Sequence, residues 1–435
     1  MRAPLSWIKE FVDIPSSVTS QDIAEALIRV GFEVEEVIEQ GKDLTGPLVF
    51  GEVLTIEEVT GQKKPIRYVG LDCGEGQTRY VICGATNFSV GDRVVVALPG
   101  SVLPGNFAIS ARETYGKTSN GMICSARELG LGDDHSGIMV FDSSTVEIGS
   151  DAIVGLQIQD VIFDIAINPD RGYGLSIRGI SREIASALEL TFTDPVEQVR
   201  GFQLQESGTP VKASIADAET ASVFYLRTIS HFDAQTSTPL WMRRRIEKMG
   251  MRSISLVVDM TNYVMLELGQ PLHAFDKAKI QGGLTIKRAG KVQSFTTLDG
   301  QERQLDPDDL MVWDDVQPLA LAGTMGGAFS EISESTTDIA LEAVRFDPIC
   351  VAKNSRRHKL SSEASRRLER GVDPSLAEIA SARFVQLLTS HSSAKYVGTS
   401  IAGKPVFPAP IALDPQYISK TLGYDISPEQ ISARL

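Results

Sequence analysis

His273 and Glu342 are the side chains of this sequence best placed to exchange a proton or read a polar group. His273 stands in GQPLHAF, shortly after Gly269 and Pro271, residues that stop a helix and forbid its restart. That places it on a loop just beyond a helix end. A lone histidine is more often structural than catalytic, so its role depends on its neighbours. Glu342 interrupts the apolar run DIALEAVRF. Read at the strand period of two, Ala340, Glu342, Val344 and Phe346 share one face and Ile339, Leu341 and Ala343 the other. A carboxylate between two apolar faces is costly to bury unpaired. It sits either at a sheet edge or against a polar cavity, and the cavity is the preferred reading. The apolar run LALAGTMGG ends in Gly323, Gly326 and Gly327, where a ligand can approach backbone amides or the chain simply turns. Residues 353–370 hold seven Lys or Arg against two Glu. That run suits phosphate, or is a solvated helix with Glu363 and Arg367 paired.

Other chemistries are disfavoured. No Ser-His-Asp, Cys-His or metal-ligand constellation is apparent, and Cys73, Cys83, Cys124 and Cys350 show no CxxC spacing. No GxxxxGK[ST] loop is present, which assigns ATP chemistry to a partner. At 435 residues with 42% hydrophobic and 23% charged residues, the chain has room for about three domains. A net charge of −14 argues against coating nucleic acid by bulk charge but leaves room for local basic patches. The N-terminus lacks an apolar signal-peptide core and no apolar run reaches membrane-spanning length, so the expectation is a cytoplasmic protein without a membrane partner.

The elements that must carry these residues follow from periodicity and breakers. Ser20 is predicted to cap a helix with Ile23, Leu27 and Val30 on one face, ended by Gly31. Phe32 and Val34 then alternate with acids. From residue 41 to 150 short glycine-broken strands suggest a small antiparallel barrel, with a short helix after SNGMIC. Alternation through Val161, Phe163, Ile165 and Ile167, then helical spacing of Ile177, Ile180, Ile184 and Leu188, gives a strand and a helix. Ser237, Thr238 and Pro239 start a helix running to Gly250. Val257 and Val258 read as the end of a buried strand, with Asp259 or Thr261 capping a short helix to Leu268. After the proline-rich link VFPAPIALDP, helices open at Asp414 and Ser427. The second runs to Leu435 without a stop signal, which suggests a fragment of a longer polypeptide.

VICGATNFSVGDRVVVALPGSVLPG and SNGMICSARELGLG resemble the oligonucleotide-binding-fold tRNA-binding module attached to several synthetases. In that reading Lys63, Lys64, Arg67, Arg79, Arg93 and Lys117 could contact phosphate, and each is at least equally well read as solvated surface. Joined in order with SWIKEFVDIP, DRGYGLSIRGISREIA, VVDMTNYVMLELGQPLHAFD and SSEASRRLERGVDP, the chain is similar throughout to the bacterial phenylalanyl-tRNA synthetase β-subunit family. The resemblance implies a multidomain α+β protein. An OB-fold tRNA-binding domain at 41–150 would be inserted in a split α+β domain (1–40 and 151–195). A large α/β-mixed editing domain of B3/B4 type would span 200–403, and 408–435 would begin a winged-helix-like B5-type domain.

The same resemblance implies hydrolysis of tyrosine wrongly joined to tRNA(Phe). His273, Glu342 and Ser362 fall at catalytic positions; Arg252, Thr261, Asn262, Gly326, Gly327 and Ala364 at substrate-binding positions. Relatives often carry threonine at the place of Ser362, and NPDRGYG departs from their usual asparagine-arginine-alanine pattern. Lys63, Lys64, Arg67, Lys117, Arg356 and Arg357 are the candidate tRNA contacts. The implied partner is an α subunit in an (αβ)₂ assembly that joins phenylalanine to tRNA(Phe) with ATP and Mg²⁺ bound outside residues 1–435. No metal or cofactor is expected within this stretch. A synthetic pocket for phenylalanine cannot strongly reject an isostere with one added hydroxyl, and discriminates only about 100-fold. A second pocket can demand that hydroxyl, because its own polar groups stay unpaired when the wrong ring enters. Glu342 is read as acceptor of the phenol proton, His273 as a second contact, and Ser362 with the Gly326 and Gly327 amides as candidates for orienting water and stabilising an oxyanion. The rival is a non-catalytic tRNA-docking and assembly scaffold with a vestigial pocket. A free-standing hydrolase of small molecules is disfavoured.

Overall fold

A computed structural model describes residues 1–62, 64–132, 135–141 and 146–434. Asp160–Ala166 pairs antiparallel with Arg2–Pro4 on one side and Glu33–Gln40 on the other, so distant stretches close one three-stranded sheet. Helices Ser20–Arg29 and Ile177–Leu188 supply Ile23, Leu27, Ile180 and Ile184 to the core over it. Thr19, not Ser20, caps the first of these, in a reciprocal capping box with Asp22.

The second unit is an antiparallel sheet in which Leu48–Glu58 lies between Arg93–Ala97 and Arg67–Asp72, with Thr78–Cys83 beyond the latter. Val95 and Ala97 belong to one apolar cluster, Val94 and Val96 to another. The strand is therefore buried on both faces, which explains its unbroken apolar run. The short helix expected after SNGMIC is a turn instead. Ser125 already satisfies its amide and hydroxyl on the Glu128 carboxylate, at 2.6 and 2.8 Å.

The central block contains two larger sheets beside the hairpin Ser294–Thr296 with Glu302–Gln304. One runs Ala213–Ile215, Leu284–Arg288, Leu310–Trp313, Pro318–Leu321, Met325–Gly326; the other runs His273–Asp276, Ile339–Phe346, Ala221–Ser230, Lys395–Gly403. Two expectations are corrected. Residues 257–258 are not strand: the helix is Leu256–Leu268, with Ser255 at its N-cap and Gly269 at φ +91° closing it. Leu256, Val257, Met260, Tyr263, Val264 and Leu268 are all buried, so no polar stripe marks the helical period and two valines imitate a strand. His273 begins a strand and does not sit on a loop.

The Thr238 hydroxyl, expected as a cap for helix Leu240–Lys248, donates instead to Asp259 at 2.5 Å, and Pro239 is the uncapped N-cap. Asp259 also accepts from Ser253 and from the Ile254 amide, fixing the start of helix Leu256–Leu268 from within it. The core is continuous from the N-terminal sheet into the central block: Trp7 and Phe163 belong to the same apolar cluster as Val264 and Leu341. A buried ion pair, Lys248 to Asp160 at 2.7 Å, crosses the same junction. Beyond Gly403, helices Pro415–Leu422 and Pro428–Arg434 begin where their proline signals place them.

Candidate active site

Strand Ile339–Phe346 is interior, flanked by His273–Asp276 and Ala221–Ser230, so Glu342 is not at a sheet edge. Its direct cross-strand partner is His273. Opposed residues of an antiparallel pair project to the same face, so carboxyl and imidazole rise side by side. Both line a cavity of about 320 Å³ walled by Thr261, Asn262, Gly326, Ser362 and Ala364, with Met265, Leu272, Leu298, Phe346 and Leu368 as apolar surface. The apolar residues carried no signal in the sequence, because nothing distinguishes a cavity-lining leucine from a core one.

Glu342 is 6% exposed, and its Oε2 is buried without a hydrogen-bond partner among the described residues. Burial pushes its pKa up to about 8. Burial also lowers His273 to about 4. The imidazole packs edge-on against Phe275, with ring centroids 4.5 Å apart. Near neutral pH the pair is therefore mostly a carboxylic acid beside a neutral imidazole. Gly326 makes room for the ring: a Cβ there would lie 2.5 Å from His273 Cε1 and 2.7 Å from Nε2.

These shifts set a pH dependence. The folded state holds the Glu342 proton more tightly than the unfolded chain, so its contribution to stability is complete below 4.5 and is lost as pH rises through about 8. His273 acts in the opposite direction, its neutral form favouring the fold above 6.5 and that contribution disappearing as pH falls through about 4. Glu342→Gln is thus expected to gain stability relative to wild type as pH rises from 5 to 9, by an amount on the order of 1.4 kcal/mol for each pKa unit released. Denaturant titrations across that range test it, and a constant stability difference would refute the burial of a neutral acid.

Ser362 lines the cavity, but its hydroxyl donates to Thr324 O at 3.0 Å and accepts from the Ser365 amide at 3.1 Å. It is the N-cap of helix Glu363–Leu368, which leaves it no free proton for water or an oxyanion. Gly327 does not line the cavity, and its amide donates to Leu319 O at 2.8 Å. Arg252 is exposed and lines neither this cavity nor the adjoining one. That second cavity, of about 670 Å³, shares Thr261, Asn262, Leu272, His273 and Leu298 with the first. It adds the hydroxyl-bearing Ser253, Ser255 and Ser333. His273 therefore stands at the junction and Glu342 at the inner end.

The basic tract is largely committed to the fold. Arg357 pairs with Asp309 and Asp306, and His358 with Asp309. Arg366 and Arg367 meet Glu363 at 2.9 and 2.7 Å, and buried Arg367 also donates to Leu175 O. Arg356 is exposed with no ion pair among the described residues. In the barrel, Arg67 pairs with Glu58, Lys117 with Glu57, Arg79 with Glu75 and Arg93 with Glu52. Lys64 is exposed, and Lys63 lies outside the described residues. Among the described residues no three His, Cys, Asp or Glu side chains cluster to hold a metal, and no helix is long and apolar enough to cross a membrane.

Residues 220–393 match the B3/4 domain family and residues 48–151 the family described as "Putative tRNA binding domain". Over its whole length the chain is similar to the phenylalanine–tRNA ligase β subunits of Streptomyces avermitilis, 48% identical over 447 residues, and Thermobifida fusca, 48% over 441 residues. It covers 53% of each, so it spans about half the length of the curated relatives it matches. Among solved structures it matches an N-terminal fragment of the phenylalanyl-tRNA synthetase β subunit from Pyrococcus horikoshii at 12% identity and a TM-score of 0.30, covering 63% of this chain and 75% of that one.

Proposed function

We propose, on the premise that the chain belongs to the phenylalanine–tRNA ligase β-subunit family and matches its N-terminal half, that its central block hydrolyses tyrosine wrongly esterified to tRNA(Phe). The observation that carries the reading is the Glu342 oxygen, unpartnered among the described residues, beside His273 in a cavity of about 320 Å³, room enough for an aromatic side chain. A phenol can donate to the carboxyl oxygen and accept from the carboxylic proton; a bare ring does neither. The ester then lies by Thr261, Asn262 and His273, where the two cavities meet, and the ribose side extends into the larger one. Water attacks the ester carbonyl from that chamber, the acyl C–O bond to the ribose breaks, and the proton water gives up ends on the departing ribose oxygen, releasing tyrosine and uncharged tRNA. With Ser362 and the Gly327 amide committed elsewhere, the ribose hydroxyls of the substrate and the Asn262 amide are left to stabilise the developing charge.

In this reading the three-stranded sheet and its helices form one split α+β domain around the tRNA-binding barrel, and residues 408–435 begin a B5-type winged-helix-like domain. The barrel supports tRNA docking through its family match; its paired arginines and lysines make a weak electrostatic case on their own. The partner is the α subunit of an (αβ)₂ enzyme in the cytoplasm, and ATP and Mg²⁺ act outside this stretch.

The test is deacylation by the full-length assembled enzyme. Wild type is expected to strip tyrosyl-tRNA(Phe) and spare phenylalanyl-tRNA(Phe). Gly326→Ala should abolish the stripping, because its methyl would occupy the space of the His273 ring. Wild-type enzyme that leaves the tyrosyl ester intact would favour the docking-scaffold alternative.

A further inference from the structure

Helix Leu256–Leu268 forms a wall of the cavity and also packs at the junction with the N-terminal unit. At 3.6 residues per turn, Thr261, Asn262 and Met265 lie on one side and Tyr263 and Glu267 on the other. The first set faces the cavity. The second enters a buried cluster drawn from three other parts of the chain. Trp7 of helix Leu5–Ile8 stacks on Tyr263 with ring centroids 4.8 Å apart and planes 17° apart. Trp241 meets the same ring edge-on at 5.4 Å. The Tyr263 hydroxyl accepts from Arg245 at 3.1 Å and donates to Glu267 at 3.0 Å. Arg383 closes the cluster with two hydrogen bonds to Glu267 at 2.9 Å, while Arg245 reaches over Trp7 to Glu10.

We propose that Trp7 and Tyr263 are positioning residues for the cavity: through them the N-terminal unit sets the depth and rotation of the helix that presents Thr261 and Asn262. Asn262 and Tyr263 are adjacent on one rigid element, so a rotation that moves Tyr263 off Trp7 also swings Asn262 across the junction of the two cavities. The Tyr263 hydroxyl can be removed without dismantling the cluster, because Glu267 keeps Arg383 and Arg245 keeps Glu10.

The consequence for hydrolysis rests on the editing reading above; the mechanical coupling does not. In the full-length enzyme, Trp7→Ala should raise KM for tyrosyl-tRNA(Phe) about tenfold with kcat nearly unchanged, the scale such couplings reach along a shared element. Tyr263→Phe, which keeps its ring against Trp7, should stay near wild type. Trp7→Phe, which keeps a ring to stack on, should restore KM to near wild type. Hydrogen exchange at the amides of residues 260–266 should accelerate in Trp7→Ala and not in Tyr263→Phe or Trp7→Phe. Unchanged exchange in Trp7→Ala, or equal acceleration in Trp7→Phe and Trp7→Ala, would overturn the coupling. If wild type hydrolyses no tyrosyl ester, the functional reading falls, and the exchange comparison still decides whether the cluster holds the helix.

Discussion

Glu342→Ala is expected to lower the preference for a tyrosyl over a phenylalanyl ester by about 10- to 100-fold, read as the ratio of kcat/KM for deacylation of the two charged tRNAs at pH 7. Its buried Oε2 has no hydrogen-bond partner among the described residues. A phenyl ring leaves that buried oxygen unpaired and forgoes a bond worth about 1–3 kcal/mol. A phenol supplies the bond. Alanine removes both the penalty and the reward, so the two substrates converge. Glu342→Gln separates shape from charge. Since burial holds the acid's pKa at about 8, the working form at pH 7 is mostly neutral, and a carboxamide offers the same pairing of one acceptor and one donor. Glutamine should therefore keep most of the preference. A glutamine variant as impaired as alanine would mean that the carboxylate form does the recognition. An alanine variant with the wild-type ratio would remove Glu342 from the site altogether.

The sequence carried much of this side of the cavity because strand Ile339–Phe346 obeys a period of two, and a glutamate in such a strand is conspicuous by its cost. The opposing strand His273–Asp276 was not visible, since its four residues are defined by pairing with a partner far along the chain. Burial hid the first turn of helix Leu256–Leu268 from the other direction, by removing the polar face that reveals a helix, although its end at Leu268 and Gly269 was legible. Charge counting overstated the tract at 353–370. It registers seven cations and their two local acids but not Asp306 and Asp309, which folding brings against Arg357 and His358. The same blindness applies to the barrel, where each nominated arginine or Lys117 has found a glutamate on a neighbouring strand or turn. Ser362 was legible as a hydroxyl near the site, but its occupation by the Thr324 carbonyl and the Ser365 amide depends on a loop nearly forty residues away and on its own place at a helix start. Local pattern thus located the elements and the unusual side chains; what those side chains are free to do was settled by distant partners.

Gly179→Ala is expected to destabilise the protein by about 3 kcal/mol, a large effect for one methyl group. The position is helical and buried near the start of Ile177–Leu188, and its φ raises no objection to alanine. The obstacle is the preceding turn. A Cβ would lie 2.0 Å from Tyr173 O and 2.7 Å from Tyr173 C. That carbonyl cannot swing away freely, because Ser176 Oγ donates to it at 2.8 Å while accepting from the Gly179 amide at 3.0 Å. Relief therefore requires breaking the helix cap, itself worth about 1 kcal/mol, as well as moving the backbone. Gly201→Ala is the control: its Cβ would meet nothing closer than 3.8 Å, and loss of unfolded-state freedom should leave it neutral or slightly more stable. Ser176→Ala supplies the diagnostic cycle. If the clash is enforced by the cap, the double variant should be less damaged than the sum of the singles. The strain should also reach the cavity, since Ser176 Cβ stands against Gly269, where a Cβ would be 3.3 Å away, and Gly269 closes the helix that carries Thr261 and Asn262. Thermal midpoints measured on the three variants and the double decide the matter: matching midpoints for Gly179→Ala and Gly201→Ala would show that the Tyr173 turn yields without resistance.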